Sequence, residues 1–87
     1  MVKERATVEG LHNLFAEILD VEKRFYDPQK SVYYNFTSLD ADSMLKLEAL
    51  AEIERRHLVV ISEEDYQNKY LPSTLEQLAA YINGMYQ

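Results

Sequence analysis

The stretch Leu39-Asp40-Ala41-Asp42-Ser43-Met44, at positions 39–44 of this 87-residue chain, marks the start of the helix that decides the fold. Aspartate and serine are preferred caps for the first turn of a helix. Behind them apolar residues recur at the spacing of a one-sided helix. We expect this helix to begin at Asp42 or Ser43 and to end at about Arg56 or His57. Its predicted inner stripe is Met44, Leu47, Leu50, Ala51 and Leu58.

The residues before this stretch predict one more helix and a long connection. Apolar residues recur at helical spacing from Thr7, a good N-cap, to about Val21. The segment 22–41 has no clean periodicity, but it is rich in aromatic residues that can cover a core. We therefore expect it to be an ordered, packed loop. Its aromatic residues are Phe25, Tyr26, Tyr33, Tyr34 and Phe36.

The residues that follow the helix after 39–44 predict a short third helix and a longer last helix. The β-like run at 58–61 has no second strand to pair with, so we interpret it as a buried crossing segment. Ser62 is the predicted cap of a short third helix that ends at about Asn68. Ser73 and Glu76 form a predicted capping box for the last helix, whose predicted apolar stripe is Leu75, Leu78, Ala79 and Ile82. The pair at 83–84, Asn-Gly, is its predicted C-cap.

Together these elements predict an all-α fold over residues 1–87, which we expect to form a single domain. The expected architecture is a four-helix bundle with three longer helices, one short third helix and a long loop after helix one. A chain of this size buries only about 60% of the surface that its unfolded form exposes. Binding or carrying a ligand is therefore a better expectation than catalysis, and we assign no catalytic residue.

The charge of the chain is concentrated in its middle. The net charge is −6, and residues 40–65 hold eight acidic and three basic side chains, an excess of five. Such a field favours basic protein partners and argues against a nucleic-acid ligand. The first five residues include the charged Lys3, Glu4 and Arg5 and lack the apolar core of a secretory signal. No apolar run approaches the roughly 20 residues that span a bilayer. We expect a cytoplasmic monomer with no membrane span.

Several kinds of site are excluded by the residues themselves. The chain has no cysteine, which removes disulfides and thiol nucleophiles. His12 and His57 have no third ligand at metal spacing, so we expect both at the surface or its boundary and predict no metal site. Asp40 and Asp42 begin a sequence that departs from a calcium loop, because its sixth position is Leu45 rather than glycine.

Ser43 combines three features that suggest an attachment site. It lies at a helix N-terminus, where unpaired N–H groups favour a phosphate ester. It follows Asp42, which could hold a basic partner, and it precedes Met44, a side chain of the kind found at adaptable protein contacts. On these residues alone, the alternative that Ser43 or Asp42 only caps the helix stays open.

The stretch 39–44 resembles the Leu-Gly-Ala-Asp-Ser-Leu signature of acyl carrier proteins. The run that begins at Ile61, eighteen residues after Ser43, is similar to that family's Ile-Pro-Asp-Glu-Glu run. The end of the chain at 78–84 resembles the family's last helix. Signature, spacing and terminus together cover most of the chain.

The resemblance implies that Ser43 is esterified with 4′-phosphopantetheine, which a separate phosphopantetheinyl transferase takes from coenzyme A. It also implies acyl or aminoacyl cargo held as thioesters, and partners that are acyl-loading and synthase-type enzymes with basic docking surfaces. By the same resemblance, the positions that contact partners are Asp42, Met44, Leu45, Glu48 and Ala51. The apolar positions beside the space that shelters acyl chains are Leu47, Leu50 and Ile61.

The chain also departs from the family pattern. Asp40 replaces a glycine, so the turn before the helix must be made by a residue that enters the left-handed region less easily. Lys46, Arg55 and Arg56 dilute the acidic face on which docking in the family depends. We therefore expect a specialised pathway of fatty acid, polyketide or related biosynthesis. The alternative is a helical interaction module that keeps the fold and is never modified.

Overall fold

The computed structural model describes residues 5–85, and this part of the chain is all-α, with no β-strand. Residues 1–4, on which part of the localisation argument depended, lie outside the described residues. Five α-helices follow one another: α1 (Val8–Leu19), α2 (Val32–Ser38), α3 (Ser43–His57), α4 (Glu63–Asp65) and α5 (Leu75–Gly84). A 3₁₀ turn, Lys23–Phe25, follows α1, and a π-helical segment, Tyr66–Tyr70, continues α4.

The first helix begins where the sequence predicted and ends slightly earlier. The Thr7 hydroxyl accepts the Gly10 N–H at 3.0 Å, which confirms Thr7 as the N-cap. Asp20 takes a left-handed conformation with φ 57°, so the helix ends at Leu19 rather than near Val21. Aspartate tolerates this conformation because its short polar side chain hydrogen-bonds locally.

The prediction of a loop over 22–41 is only partly right, because this segment contains α2. The Ser31 hydroxyl caps the helix by accepting the Tyr34 N–H at 3.0 Å. The N–H groups of Val32 and Tyr33 donate to the carbonyls of Ser73 and Leu71, at 2.9 and 2.8 Å. Two donors that every helix start leaves without an intrahelical partner are thus satisfied by a distant turn. Since these acceptors come from a distant part of the chain, local sequence periodicity did not reveal the helix.

The segment before α2 is ordered and packed, as predicted, and Asn35 holds it in place. The buried Asn35 side chain accepts the Asp27 N–H at 2.7 Å and donates to the Asp27 and Ser31 carbonyls at 2.9 and 3.0 Å. Tyr26 and Phe36 are buried against Phe15 of α1, with ring centroids 5.7 Å apart in both pairs. The other aromatic residues of the segment, Phe25, Tyr33 and Tyr34, are exposed.

The bounds of α3 match the prediction, but its buried face does not. Asp42 is the N-cap, and its carboxylate accepts the Leu45 N–H at 3.0 Å. Met44 is 75% exposed and Leu47 49% exposed, and Leu58 ends the helix in a left-handed conformation at its surface. The buried residues of α3 are Ala49, Leu50, Ile53 and His57. The predicted inner stripe is correct only at Leu50. It was placed on the side of the helix that contains Met44, and this side faces solvent.

His57 is the clearest departure from the predicted surface. It is buried at 4% exposure, so the prediction of a surface or boundary position is wrong for this residue. It takes part in the packing at the end of α3, beside the left-handed Leu58. His12 lies at the boundary as predicted, with its Nε2 atom 2.9 Å from the Lys23 carbonyl oxygen.

The crossing segment at 58–61 lies against the end of α3 and alternates in exposure. Val59 and Ile61 are buried, whereas Val60 is 90% exposed. The Ile61 N–H donates to the Glu54 carboxylate at 2.8 Å, and the Val59 N–H donates to the Glu54 carbonyl at 3.3 Å. Glu54 of α3 therefore accepts hydrogen bonds from two backbone N–H groups of this β-like run. These two groups accordingly need no partner strand.

The last part of the chain corrects two predicted caps. Thr74, not Ser73, is the N-cap of α5, and Gln77 rather than Glu76 completes the capping box. Ser73 is buried and its hydroxyl donates to the Lys69 carbonyl at 2.6 Å. Gly84 belongs to α5 and does not have a positive φ, so the pair at 83–84 is not a C-cap of the predicted kind.

The inner face of α5 and the cap of α4 are as predicted. Leu75, Leu78, Ala79 and Ile82 are buried. The Ser62 hydroxyl accepts the Asp65 N–H at 3.1 Å, which confirms it as a cap. The Asn83 side chain exchanges two hydrogen bonds with the backbone of Ala6, at 2.8 and 2.9 Å, and thereby fixes the start of the described chain to its end. Within residues 5–85 no helix has the length and apolar character needed to cross a bilayer.

Replacing Asn35 with alanine should lower the free energy of unfolding by about 2 kcal/mol, because it leaves backbone groups of Asp27 and Ser31 without their buried partner. Urea denaturation measures the change. Asn13→Ala, at an exposed position of α1, is the control and should change stability by less than about 0.5 kcal/mol. If the two substitutions change the free energy of unfolding equally, the hydrogen bonds of Asn35 do not hold the segment before α2.

Asp40→Gly should raise the free energy of unfolding by about 0.5–1 kcal/mol, because Asp40 has φ 58° in the turn before α3 and glycine enters this region without strain. Asp40→Ala should lower it, since alanine lacks the local hydrogen bonding of aspartate. Thermal denaturation of both variants checks the prediction. A glycine variant less stable than the parent chain contradicts it.

Candidate functional site

Ser43 is the first residue of α3 and is exposed. Its position follows directly from the Asp42 cap, which fixes where the helix begins. The N–H groups at the start of a helix have no acceptor within it, and together with the helix dipole they attract anions. Because Ser43 is exposed, its hydroxyl is accessible to another protein. A phosphate ester on this hydroxyl would lie at the positive end of a fifteen-residue helix.

A cleft of about 510 Å³ opens beside Ser43. This volume is in the range of sites that hold small organic ligands, about 300–1,000 Å³. Its walls come from α2, the first turns of α3, and the α4 and π-helical segment. The lining residues are Tyr33, Ser43, Lys46, Leu47, Glu63, Tyr66, Gln67, Asn68 and Leu71.

The electrostatics of the cleft are mixed. Lys46 and Glu63 line it with opposite charges, and the Lys46 ammonium lies 5.1 Å from the centroid of the Tyr33 ring. Lys46 is three residues after Ser43, on the same side of α3, so it can approach an anionic group at the serine. The cleft therefore joins a cation near Ser43 to polar and aromatic side chains farther along.

The π-helical segment forms one wall and exposes part of Tyr66 to the cleft. Tyr66 is only 2% exposed, and within residues 5–85 its hydroxyl has no hydrogen-bond partner. Burial raises the pKa of Tyr66, so the hydroxyl keeps its proton and is a hydrogen-bond donor. The Tyr26 hydroxyl likewise has no partner among the described residues, and burial, followed by the nearby Tyr66, raises the pKa of Tyr26.

The structure brings some of the predicted site residues together and separates others. Ser43 and Leu47 share the cleft, whereas Leu50 and Ile61 are core residues outside its lining. Met44, Glu48 and Ala51 are exposed and follow one another at helical spacing, so they share an outer face of α3. Leu45 is half-buried, and Asp42 is exposed at the cap.

Glu48 belongs to a second groove rather than to the Ser43 cleft. This groove, of about 340 Å³, lies between α1 and α3 and carries several charged side chains. The Arg55 guanidinium pairs with the Glu52 carboxylate at 2.6 Å, and this hydrogen bond lowers the pKa of Glu52. Glu52 follows Glu48 by one helical turn, so the pair neutralises an acidic group beside the residues that were predicted to dock partners.

Sequence reasoning missed the aromatic and polar walls of the cleft. Tyr33 was interpreted as an aromatic residue that covers the core, and residues 66–68 were placed at the end of the short helix without a role. The sequence carried no signal for the π-helical turn, because Tyr66 and Tyr70 are four residues apart, as on one face of an α-helix. In the part of the chain that the structure describes, no three acidic or histidine side chains come together as a metal site would require.

Comparison with known proteins adds no relative. No family, no curated protein and no solved structure matches this chain. Any statement about its function therefore depends on the residues and geometry of the Ser43 cleft.

Tyr66→Phe should leave the free energy of unfolding unchanged or raise it by up to about 1 kcal/mol, because it removes a buried hydroxyl that has no partner. Tyr66→Ala should lower it by about 3–5 kcal/mol, because the ring is part of the core. Urea denaturation of both variants separates the contribution of the hydroxyl from that of the ring. A phenylalanine variant as unstable as the alanine variant would show that the hydroxyl is needed for folding.

Proposed function

We propose that this chain is a carrier protein that holds acyl or aminoacyl intermediates as thioesters on a 4′-phosphopantetheine arm attached to Ser43. The observation that carries the proposal is the position of Ser43: exposed, first in α3, next to the Asp42 cap and on the rim of a cleft of about 510 Å³. The same serine lies in the stretch that resembles the carrier signature. Geometry and sequence thus favour the same residue.

The arrangement of helices is compatible with a carrier. In this proposal α1, α3, the segment of α4 with its π-helical continuation, and α5 are the four helices of the bundle, and α2 is an addition in the long connection. The left-handed Asp40, φ 58°, makes the turn that glycine makes in the family signature. The departure at this position therefore changes the residue without removing the turn.

The residues around Ser43 fit a phosphodiester. The N-terminus of α3 offers N–H groups, Lys46 offers a cation on the same side of the helix, and the cleft offers room for the arm. When bound, the arm supplies the terminal thiol that forms thioesters, a group that a chain without cysteine does not have. A tethered intermediate reaches each partner at a high effective concentration.

Attachment would be a phosphoryl-group transfer performed by a separate transferase. The Ser43 Oγ atom forms a bond to the pantetheine-side phosphorus of coenzyme A. The bond from that phosphorus to the bridging oxygen breaks, adenosine 3′,5′-bisphosphate leaves, and the hydroxyl proton passes to a base of the transferase. Asp42, exposed beside the serine, is the residue of this chain that we expect to contact the basic surface of the transferase.

The outer face of α3 is the proposed docking surface for the other partner enzymes. It combines the exposed Met44 and Ala51 with the carboxylate of Glu48. Because Arg55 already neutralises Glu52, docking on this face depends less on charge than an all-acidic helix would. We therefore propose partners that combine a basic rim with an apolar contact, in a specialised biosynthetic pathway of the cytoplasm.

Incubation with coenzyme A and a broad-specificity phosphopantetheinyl transferase should increase the intact mass by one phosphopantetheine. Ser43→Ala should abolish the increase. The matched control is Ser62→Ala, which removes another exposed serine at a helix start and should still be modified. Intact-mass spectrometry measures all three proteins.

Two results would overturn the proposal. If several transferases leave Ser43 unmodified, the chain is better described as a helical interaction module that keeps the fold without the arm. If Ser43→Ala is still modified, the attachment residue is elsewhere.

A further inference from the structure

Lys46 is a cation on the wall of the Ser43 cleft without a carboxylate partner among residues 5–85. Its side chain is half-buried, and Glu63, the acidic residue of the same lining, does not form an ion pair with it. The contact that Lys46 makes is with the Tyr33 ring, whose centroid lies 5.1 Å from the ammonium group. Because Tyr33 is 53% exposed, water reaches this contact and a stronger partner can replace it.

The position of Lys46 relative to Ser43 favours an anion attached to the serine. The two residues are three positions apart in α3, a spacing at which side chains on a helix surface are neighbours. Side chains of a helix lean towards its N-terminus, so the Lys46 chain leans towards the turn that contains Ser43. A charge-assisted hydrogen bond to phosphate is stronger than the contact of an ammonium group with an exposed ring. A phosphodiester at Ser43 is therefore a better partner for Lys46 than Tyr33 is.

A second wall of the cleft has two amide side chains that a ligand can reach. Gln67 and Asn68 are consecutive residues of the π-helical segment, and both are exposed and line the cleft. Neither side chain has a hydrogen-bond partner in the part of the chain that the structure describes. Turns of this π-helical kind are frequent at functional sites. Each amide has both a donor and an acceptor, which suits a ligand that itself contains amide groups.

The arm has the groups that these residues can bind. A 4′-phosphopantetheine begins with a phosphodiester at Ser43, continues through two amide groups and ends in the thiol. Any ligand tethered at Ser43 enters the cleft arm first, so the phosphodiester lies beside Lys46. The lining has only Leu47 and Leu71 as aliphatic side chains, which is little surface for a long hydrocarbon. The cleft therefore suits the arm better than an acyl chain at its end.

We infer that the cleft is the resting site of the arm itself. Lys46 leaves the Tyr33 ring and donates to the phosphodiester, and the side chains of Gln67 and Asn68 hydrogen-bond the amide groups of the arm. The inference rests on the proposed attachment at Ser43. Lys46 is here a positioning residue, which holds the arm and takes no part in forming or breaking a thioester. Because these contacts are open to water, a partner enzyme can draw the arm out of the cleft.

The test uses the full chain, labelled with ¹³C and ¹⁵N and loaded from unlabelled coenzyme A by a broad-specificity transferase. Intact mass is measured first, and absence of loading at Ser43 refutes the proposed function. In the loaded protein, isotope-filtered NOEs should connect protons of the arm to the side-chain amides of Gln67 and Asn68. The Lys46 Hε signals, which lie in the ring current of Tyr33 before loading, should shift after it. A loaded protein without these NOEs refutes the inference and leaves the proposed function standing.

Lys46→Gln should lower the ratio of docked to free arm, read from the NOE intensities, about two- to fivefold, the factor expected for one partly exposed ion pair. Lys46→Arg keeps the cation and should restore the ratio. An ionic strength of about 1 M should lower the ratio in the parent protein but not in Lys46→Gln, because salt screens the pair. The matched control is Lys30→Gln. Lys30 lies 5.6 Å from the Tyr34 ring, in a pair of the same kind that does not line the cleft, and its loss should change none of these signals.

Two further results overturn the inference. If the arm docks equally well in Lys46→Gln, or if salt does not release it from the parent protein, Lys46 does not hold the phosphodiester. If Lys30→Gln lowers the ratio as much as Lys46→Gln, the effect is a general one of net charge. Before loading, Lys46→Gln should leave the backbone signals of Val32 and Tyr33 unchanged, which shows that α2 has kept its place. If those signals move, Lys46→Arg and the salt dependence of the parent protein decide.

Discussion

Two backbone hydrogen bonds hold the cleft side of this molecule together. The N–H groups of Val32 and Tyr33 donate to the carbonyls of Ser73 and Leu71. They attach the start of α2 to the turn between the π-helical segment and α5, although the partners are about forty residues apart in sequence. Because Tyr33 and Leu71 both line the cleft, the same bonds that place α2 also fix the distance between two of its walls. Without them the first two N–H groups of α2 would have no acceptor, and only side-chain contacts would hold the helix in place.

The parts of the fold that sequence predicted well are those in which local signals agree. At α1, the Thr7 cap and the apolar stripe indicate the same helix start, and at α5 the stripe from Leu75 to Ile82 is unambiguous. The start of α3 was also predicted, because Asp42 and Ser43 are both good caps. The buried face of α3 was not, because apolar residues lie on more than one side of this helix. Met44 and Leu47 are as apolar as Leu50 and Ile53, and the sequence alone does not show which pair packs in the core.

The errors have a common physical origin. The α2 helix is short and depends on acceptors from residues 71–73, so its own residues carry little of the signal. The capping box of α5 was displaced by one residue because Ser73 and Thr74 are both capable caps, and the buried hydrogen bond from Ser73 to Lys69 decides between them. The path of 58–61, which follows the buried His57, is likewise set by hydrogen bonds to the carboxylate and carbonyl of Glu54. In each case a hydrogen bond that apolar periodicity does not report, between residues from four to about forty positions apart, selected one of two locally reasonable structures.

The candidate site also has parts that the sequence predicts and parts that it does not. Ser43, the proposed attachment residue, and its Asp42 cap are local features, and the sequence was sufficient to propose them. The cleft is not local, because its walls come from three separate parts of the chain, one of them a π-helical turn that periodicity does not predict. The ring of Tyr66 in that turn packs in the core, and among residues 5–85 its hydroxyl has no hydrogen-bond partner. Phenylalanine would supply the same packing without the cost of the buried donor, so stability alone gives no reason for tyrosine at this position.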